Sequence, residues 1–466
     1  DKLGNMHSEL NITDAKLWSP ESPYLYSVVT KLYCADKLID ETTDKTGIRT
    51  ISVSADKGFM LNGISRKIQG VCLHHDLGPL GAAVNKAAII RQIRILKDMG
   101  CDAIRTSHNM PSTMQMEVCD SMGMMVMAES FDMWKFPKCK NGYARFFDDW
   151  ADRDITNLVL NHRNHPSIVM WSIGNEIPEQ WSVEGREISR HLQDICHSLD
   201  PSRPVTQGMD KAENAIASGF AKVMDVPGFN YRVYKYDTSI KQIPQGFILG
   251  SETASTVSSR GIYKFPVKIT DNGVYPDGQC SSYDTEYCGW SNLPEADLLM
   301  QDDRNYTIGQ FVWTGFDYLG EPTPYDTYWP SRSSYFGICD LAGLPKDRFY
   351  LYRSVWNKEK HTLHILPHWT WPGREGKVTP VFVYTDYPSA ELFVNGKSQG
   401  RVYKQSYSVA AASANTEKPQ LENMDMLRRY RLMWDKVKYE PGEIKVVAYN
   451  AKGEKAEEKI ICTAGK

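Results

Sequence analysis

Between about residue 55 and residue 357 the chain alternates short apolar runs with helical patterns, and this alternation narrows the architectures open to it. Lys67–His74 is the first run. Lys86–Met99 follows it with Ile89, Ile93 and Leu96 on one helical face, closed by Gly100 as a C-cap. Ala103–Arg105, Met124–Glu129, Ile168–Ile173, Val205–Gln207, Val223–Asn230, Phe247–Glu252 and Ile308–Trp313 read as seven further strands. Helical patterns open at Pro111-Ser112, run through Trp150, Ile155, Leu158 and Val159, and recur over 183–199, 295–304 and 346–356. Such an order suits a (β/α)8 barrel of roughly 250 residues with insertions. A doubly wound open sheet is the alternative, weakened because the first strand lacks a Gly-rich phosphate loop.

Two of these runs end in the same way. Ile168–Ile173 leads into Gly174-Asn175-Glu176, and Phe247-Ile248-Leu249 leads into Gly250-Ser251-Glu252. In a parallel barrel the C-terminal rim carries the chemistry, and the fourth and seventh strands face each other across the mouth. Cleavage of a glycosidic bond needs such a pair, and retention of configuration needs them roughly 5–5.5 Å apart. The acid of the pair must keep its proton at neutral pH, which burial beside a negative partner arranges. Among 57 acidic residues a given glutamate is by default a solvated or paired surface charge. Two that each close a buried strand of one barrel pattern outweigh that default.

The flanks read as β. Over residues 1–54, Tyr24–Tyr33 alternates and Lys45–Ser54 suggests a further strand. About four strands fit there, too few for the ~7 of an immunoglobulin-like sandwich, so half of one is expected. The chain opens on Asp1 without a signal-peptide pattern, and loss of an N-terminal part by processing or truncation is expected. Past the barrel, Val378–Thr385, Ala390–Val394 and Ile444–Tyr449 alternate, and Asn395-Gly396 is a hairpin signal. The segment 404–426 is polar and reads as a long loop. The 253–294 connection, rich in Gly, Ser, Pro and aromatics, is too long to be idle. Three domains follow: a partial immunoglobulin-like sandwich over 1–54, the catalytic barrel over 55–357, and a C-terminal β-sandwich over 358–466.

A net charge of −3 on 466 residues argues against nucleic acid or an anionic membrane as the main partner. No apolar run approaches the ~20 residues of a membrane span. Ten cysteines show neither zinc spacing nor CxxC, and free buried thiols are expected.

The stretch His162-Arg163-Asn164-His165-Pro166-Ser167-Ile168 through Glu176 resembles the acid/base signature of glycoside hydrolase family 2. In the family's order, Leu17–Pro23 and Gly47-Ile48-Arg49 resemble its immunoglobulin-like domain. Gly58–Gly63 and Gly70-Val71 with His74 resemble its barrel entrance, and Met99-Gly100 with Ile104–Asn109 its second strand. The resemblance implies Glu176 as acid/base and Glu252 as nucleophile of a double displacement, with Asn175 on the sugar 2-hydroxyl. It implies Arg105 beside Glu252, a position equally open to a purely structural salt bridge. His74, His108, Tyr231 and Trp313 match positions that line the sugar subsite, although a lone Trp is more often core.

Trp313–Pro324 and Ser333–Asp340 resemble the family's β-galactosidases. Its β-glucuronidases carry Asn-x-Lys where Ser334-Tyr335-Phe336 stands here, so no cation waits for a uronic acid. The expectation is a retaining, exo-acting β-galactosidase, with another family glycosidase (glucuronidase or mannosidase) or a non-catalytic carbohydrate-binding fragment as alternatives. Magnesium ligands of some relatives have no match after Glu129–Trp134, so neither metal nor cofactor is expected. The N-terminal domain that lends a subsite carboxylate in relatives is missing, and the segment past the barrel is expected to pack against it. The expected partner is a β-galactoside or oligosaccharide, and a homo-oligomer is compatible with everything in the sequence. A periplasmic or secreted location is expected, with a cytoplasmic one as the alternative.

Overall fold

The computed structural model of the chain describes residues 8–409 and 421–465. At its centre eight parallel strands close into a barrel: β1 (Ile68–Leu73), β2 (Ala103–Thr106), β3 (Met125–Glu129), β4 (Ile168–Asn175), β5 (Val205–Met209), β6 (Val226–Asn230), β7 (Ile248–Thr253) and β8 (Thr307–Val312). Closure is made where Val71 of β1 pairs with Val312 of β8. Each strand is followed by a helix: α1 (Lys86–Met99), α2 (Thr113–Met122), α3 (Phe147–His162), α4 (Val183–Leu199), α5 (Ala212–Ala217), α6 (Tyr236–Ser239), α7 (Pro294–Asp303) and α8 (Asp347–Trp356). The (β/α)8 expectation holds. The short α5 and α6 were not visible in the sequence, because one or two turns carry too little apolar period to register.

α1 shows how sequence sets an element. Asn85 caps its start by accepting from Ala88 N, and Gly100 ends it in the left-handed conformation at φ 93°. Its Ile89, Ile93, Leu96 and Met99 are buried in the apolar layer between helices and barrel. A second apolar cluster fills the barrel itself, with Ile68, Met125, Met127, Leu249, Ile308 and Phe311. Space there is tight: a β-carbon on Gly70 would lie 2.4 Å from the Phe311 ring.

The N-terminal residues make an antiparallel ribbon, Tyr26–Cys34 with Lys37–Thr46, whose side chains are largely exposed. The single strand expected over Lys45–Ser54 is broken. Lys37–Thr46 ends before Gly47, and Ile51–Ser54 pairs instead with Gly58–Leu61. Arg49 lies in the break, donating to Pro166 O at 3.0 Å and Ile168 O at 2.8 Å at the entry to β4. Gly47 packs so close to Pro166 that a β-carbon would approach to 2.8 Å.

Beyond the barrel, a three-stranded sheet (Leu363–Leu366, Val381–Thr385, Arg431–Trp434) faces a four-stranded one (Ser389–Val394, Lys397–Tyr403, Glu443–Tyr449, Lys455–Cys462) across a shared apolar core. Asn395 and Gly396 form the expected hairpin turn, both at positive φ. Of the loop expected over 404–426, residues 410–420 lie outside the described residues. Met424–Leu427 is a single helical turn.

The long connection after β7 is buried at both ends, over 254–259 and 280–288, and lies largely at the surface between them. Residues 280–288 and 291–300 are buried. Fully buried Arg431 pairs with fully buried Glu295 and donates to the carbonyls of Tyr283 and Asp284, both at 2.7 Å. Tyr384 donates to Asp284 Oδ2 at 2.9 Å, and Tyr283 to Pro380 O at 2.7 Å. All ten cysteines are free thiols. Among the described residues no helix is long and apolar enough to cross a membrane.

Candidate active site

The strand ends converge on a polar cavity of about 430 Å³ at the C-terminal mouth of the barrel. Gly174 keeps β4 slim where a β-carbon would strike Ile177 at 2.8 Å. Glu176 then turns out of the strand at φ 45°, an unusual conformation for a residue with a side chain. Its amide donates to Gly208 O at 2.7 Å, so β5 fixes that turn. On β7, the Glu252 carboxylate is almost fully buried.

The two carboxyls have different neighbours. Glu252 Oε1 accepts from the Tyr231 hydroxyl at 2.6 Å, and Oε2 from Arg105 Nη1 at 3.0 Å. Glu176 Oε1 accepts only an amide, Asn230 Nδ2 at 3.1 Å, among the bonds the structure shows. Burial raises both groups. It lifts Glu252 to about 7 against the pull of Arg105, with Glu176 adding to the rise. Glu176 is raised by burial and by the carboxylate of Asp210. A guanidinium and a phenol favour the charged form of Glu252, so of the pair Glu252 gives up its proton first and Glu176 retains it.

Behind the pair lies a buried scaffold. Arg105 also donates to Asn175 Oδ1 at 2.8 Å and meets Glu129 at 2.8 Å. Asn230 donates to Asn175 Oδ1 at 3.0 Å and accepts from Ser251 at 2.7 Å. Asn175 Nδ2 in turn reaches Asp132 Oδ1 at 3.0 Å. The His108 Nδ1 position is fixed at 2.6 Å from Glu129, and its ring stacks 5.4 Å from Trp313. His74 stands edge-on to Trp313 at 5.1 Å and to Tyr318 at 4.4 Å. Burial, aided by His108, lowers His74 to about 4, so it is neutral at neutral pH.

All the residues singled out from the sequence therefore meet here. His74, His108, Asn175, Glu176, Tyr231, Glu252 and Trp313 line the cavity, and Arg105 lies fully buried beneath it. Sequence reasoning missed Glu129 and Asn230, although both end barrel strands as Glu176 nearly does. It also missed Asp132, Lys138, Asp210, Trp290 and Glu321, which come from loops and carry no periodic signal. Among the described residues no group of His, Cys, Asp and Glu is arranged to hold a metal ion.

A closed (β/α)8 barrel presenting a buried glutamate, Glu252, and a half-buried one, Glu176, in one polar cavity is the scaffold of a glycoside hydrolase. The chain belongs to glycosyl hydrolases family 2: the model of that family's TIM barrel domain matches residues 51–358, and a further family 2 model matches residues 1–49. Residues 376–457 match a domain of unknown function. A β-galactosidase, BoGH2A of Bacteroides ovatus, is 41% identical over 98% of this chain and 55% of its own length. A putative β-glucuronidase of Formosa agariphila is 33% identical over 84% of the chain and 39% of its own length. The crystal structure of a β-glycosidase from Bacteroides vulgatus superposes with a TM-score of 0.81 at 34% identity, covering 98% of this chain and 57% of that one. The chain thus spans about half the length of these relatives.

Proposed function

We propose that the chain carries the active site of a retaining, exo-acting β-galactosidase. The observation that carries this reading is the unequal environment of the two glutamates: Arg105 and Tyr231 on Glu252, an amide alone on Glu176. In the first step the Glu252 carboxylate attacks the anomeric carbon, the glycosidic C–O bond breaks, and the Glu176 proton passes to the leaving oxygen. In the second, a water oxygen attacks the same carbon, the bond to Glu252 breaks, and the water proton passes to Glu176. The neutral His74 ring, together with the His108 imidazole and the amide of Asn175, hydrogen-bonds the sugar, with Trp313 as its apolar wall.

A neutral sugar suits the charges. Lys138 is paired with Asp132 and Lys211 with Asp210, and Arg232 is turned to the Asp210 carbonyl. Ser334 and Phe336 are buried and neutral, and Tyr335 is tied through its hydroxyl to Gly278 O at 2.9 Å. The identity to β-galactosidase BoGH2A supports the same sugar. The test is turnover of aryl β-galactoside, glucoside, glucuronide and mannoside by the chain and by Glu252→Gln. Galactoside cleavage lost in the variant is expected. Preference for the glucuronide would overturn the sugar assignment, and unchanged turnover by Glu252→Gln would overturn the nucleophile.

A further inference from the structure

Trp290 belongs to none of the apolar core clusters of the described residues. The segment around it is buried and pinned. Cys288 is fully buried and accepts from Ser291 N at 2.7 Å, and the Ser291 hydroxyl accepts from Ser255 N at 2.7 Å. On the other side the Gly289 amide donates to Asn272 Oδ1 at 3.0 Å. Out of this fixed backbone the Trp290 indole emerges 40% exposed and lines the same cavity as Glu176 and Glu252. Single exposed apolar residues are ordinary on a surface. An indole held out by a buried segment into a polar cavity is a different situation.

Depth separates the aromatic residues of the cavity. Trp313 is only 4% exposed and stands just past the end of β8 with His74 and His108 around it. Trp290 comes from the β7–α7 connection, and Lys211 and Arg232 from the loops after β5 and β6, so all three enter the cavity from beyond the strand ends. In a cavity closed at the strand ends, the sugar being cleaved takes the deep end, and whatever it is attached to leads outward past the exposed wall. The volume of about 430 Å³ exceeds what one hexose ring fills and lies within the ~300–1,000 Å³ of sites that enclose larger ligands.

We infer that Trp290 is the platform of a second sugar-binding subsite, which holds the leaving-group sugar of an oligosaccharide. A sugar ring offers an apolar C–H face to a flat aromatic and a rim of hydroxyls to polar neighbours. The cavity that Trp290 lines supplies such polar groups in Asp210, Lys211 and Arg232. The inference rests on the glycosidase reading above and adds the substrate class: a galactosyl-ended oligosaccharide.

The test compares kcat/KM for a β-galactosyl disaccharide with kcat/KM for β-galactosyl fluoride, whose leaving group is one atom and cannot reach the platform. In Trp290→Ala the disaccharide-to-fluoride ratio is expected to fall roughly tenfold or more, and in Trp290→Phe by less. With fluoride as donor and a free sugar as acceptor, Trp290→Ala also shifts the galactosyl group from acceptor to water. A ratio within about twofold of wild type overturns the inference, even if both values drop together, because Trp290 then serves the whole site or the fold. Wild-type chain inert towards both donors overturns the galactosidase reading, and this inference with it.

Discussion

Arg105 ties Glu252 to Asn175: one guanidinium nitrogen donates to Glu252 Oε2 at 3.0 Å, the other to Asn175 Oδ1 at 2.8 Å. The same group faces Glu129 at 2.8 Å, so a single buried cation serves two buried carboxylates on different strands. Arg105→Met is expected to cost about 3–5 kcal/mol of stability, because Glu129 and Glu252 are left buried without their cation. It is also expected to lower kcat/KM at least ~100-fold per folded molecule. Denaturant unfolding and kinetics on the folded fraction separate the two. A loss of activity that merely tracks the folded fraction would reduce Arg105 to a structural ion pair.

Glu252 gives the enzyme a pH signature. Burial raises its carboxyl above the ordinary 4.5, so with Glu252 as the proposed nucleophile kcat/KM is expected to fall towards acid pH from above the usual carboxylate range. Glu176, raised by burial and Asp210, is expected to set the alkaline limb as the proposed acid. Asp210→Asn is expected to move the alkaline limb to lower pH and leave the acid limb in place. An acid limb that moves instead would contradict this assignment.

Stability runs the other way. A carboxyl whose folded value lies above its unfolded one contributes stability below about 4.5, and that contribution is lost as pH rises through about 7. Glu252→Gln cannot ionise, so it is expected to melt above wild type at pH 8, with the gap closing towards pH 4. Thermal melts of the two across that range are the check.

Gly208 is a quieter determinant. A β-carbon there would lie 2.7 Å from Asn230 Oδ1 and 3.0 Å from both Arg105 Nη2 and Asn175 Oδ1. Gly208→Ala is therefore expected to displace the scaffold behind Glu176 and cut kcat/KM by roughly tenfold or more. Retention of full activity would show that the scaffold has slack.

What the sequence revealed and concealed follows from range. Glu176 and Glu252 were legible because each ends a short apolar run, and strand-end position is a local property. The barrel was legible because its repeat is local too. Gly208 and Asn230 matter through neighbours on other strands, and Trp290 and Glu321 through the folding of long loops, which no window of sequence contains. The strand expected over Lys45–Ser54 failed for the same reason: Arg49 answers to carbonyls of Pro166 and Ile168. Tyr24–Tyr33 alternated like a half-buried strand, yet Tyr26–Cys34 is exposed along most of its length.

Arg431 joins the C-terminal sandwich to the segment that carries Trp290. Arg431→Met strands Glu295 in a fully buried site and is expected to destabilise the chain by about 3–5 kcal/mol. Replacing both partners, Arg431→Met with Glu295→Leu, is expected to recover most of that loss. A double variant no more stable than the single one would show that the carbonyls of Tyr283 and Asp284, not the charge, need Arg431.

The same contact orders events in time. Glu295 and Arg431 are 136 positions apart, so when the last barrel helix leaves the ribosome the partner that holds the β7–α7 connection has not yet been made. The wall of the cavity must wait for the sandwich. A nascent chain stopped after α8 would hold Glu176 and Glu252 and still lack the Arg431 that pairs with Glu295. Completion of the cavity wall is thereby coupled to synthesis of the sandwich.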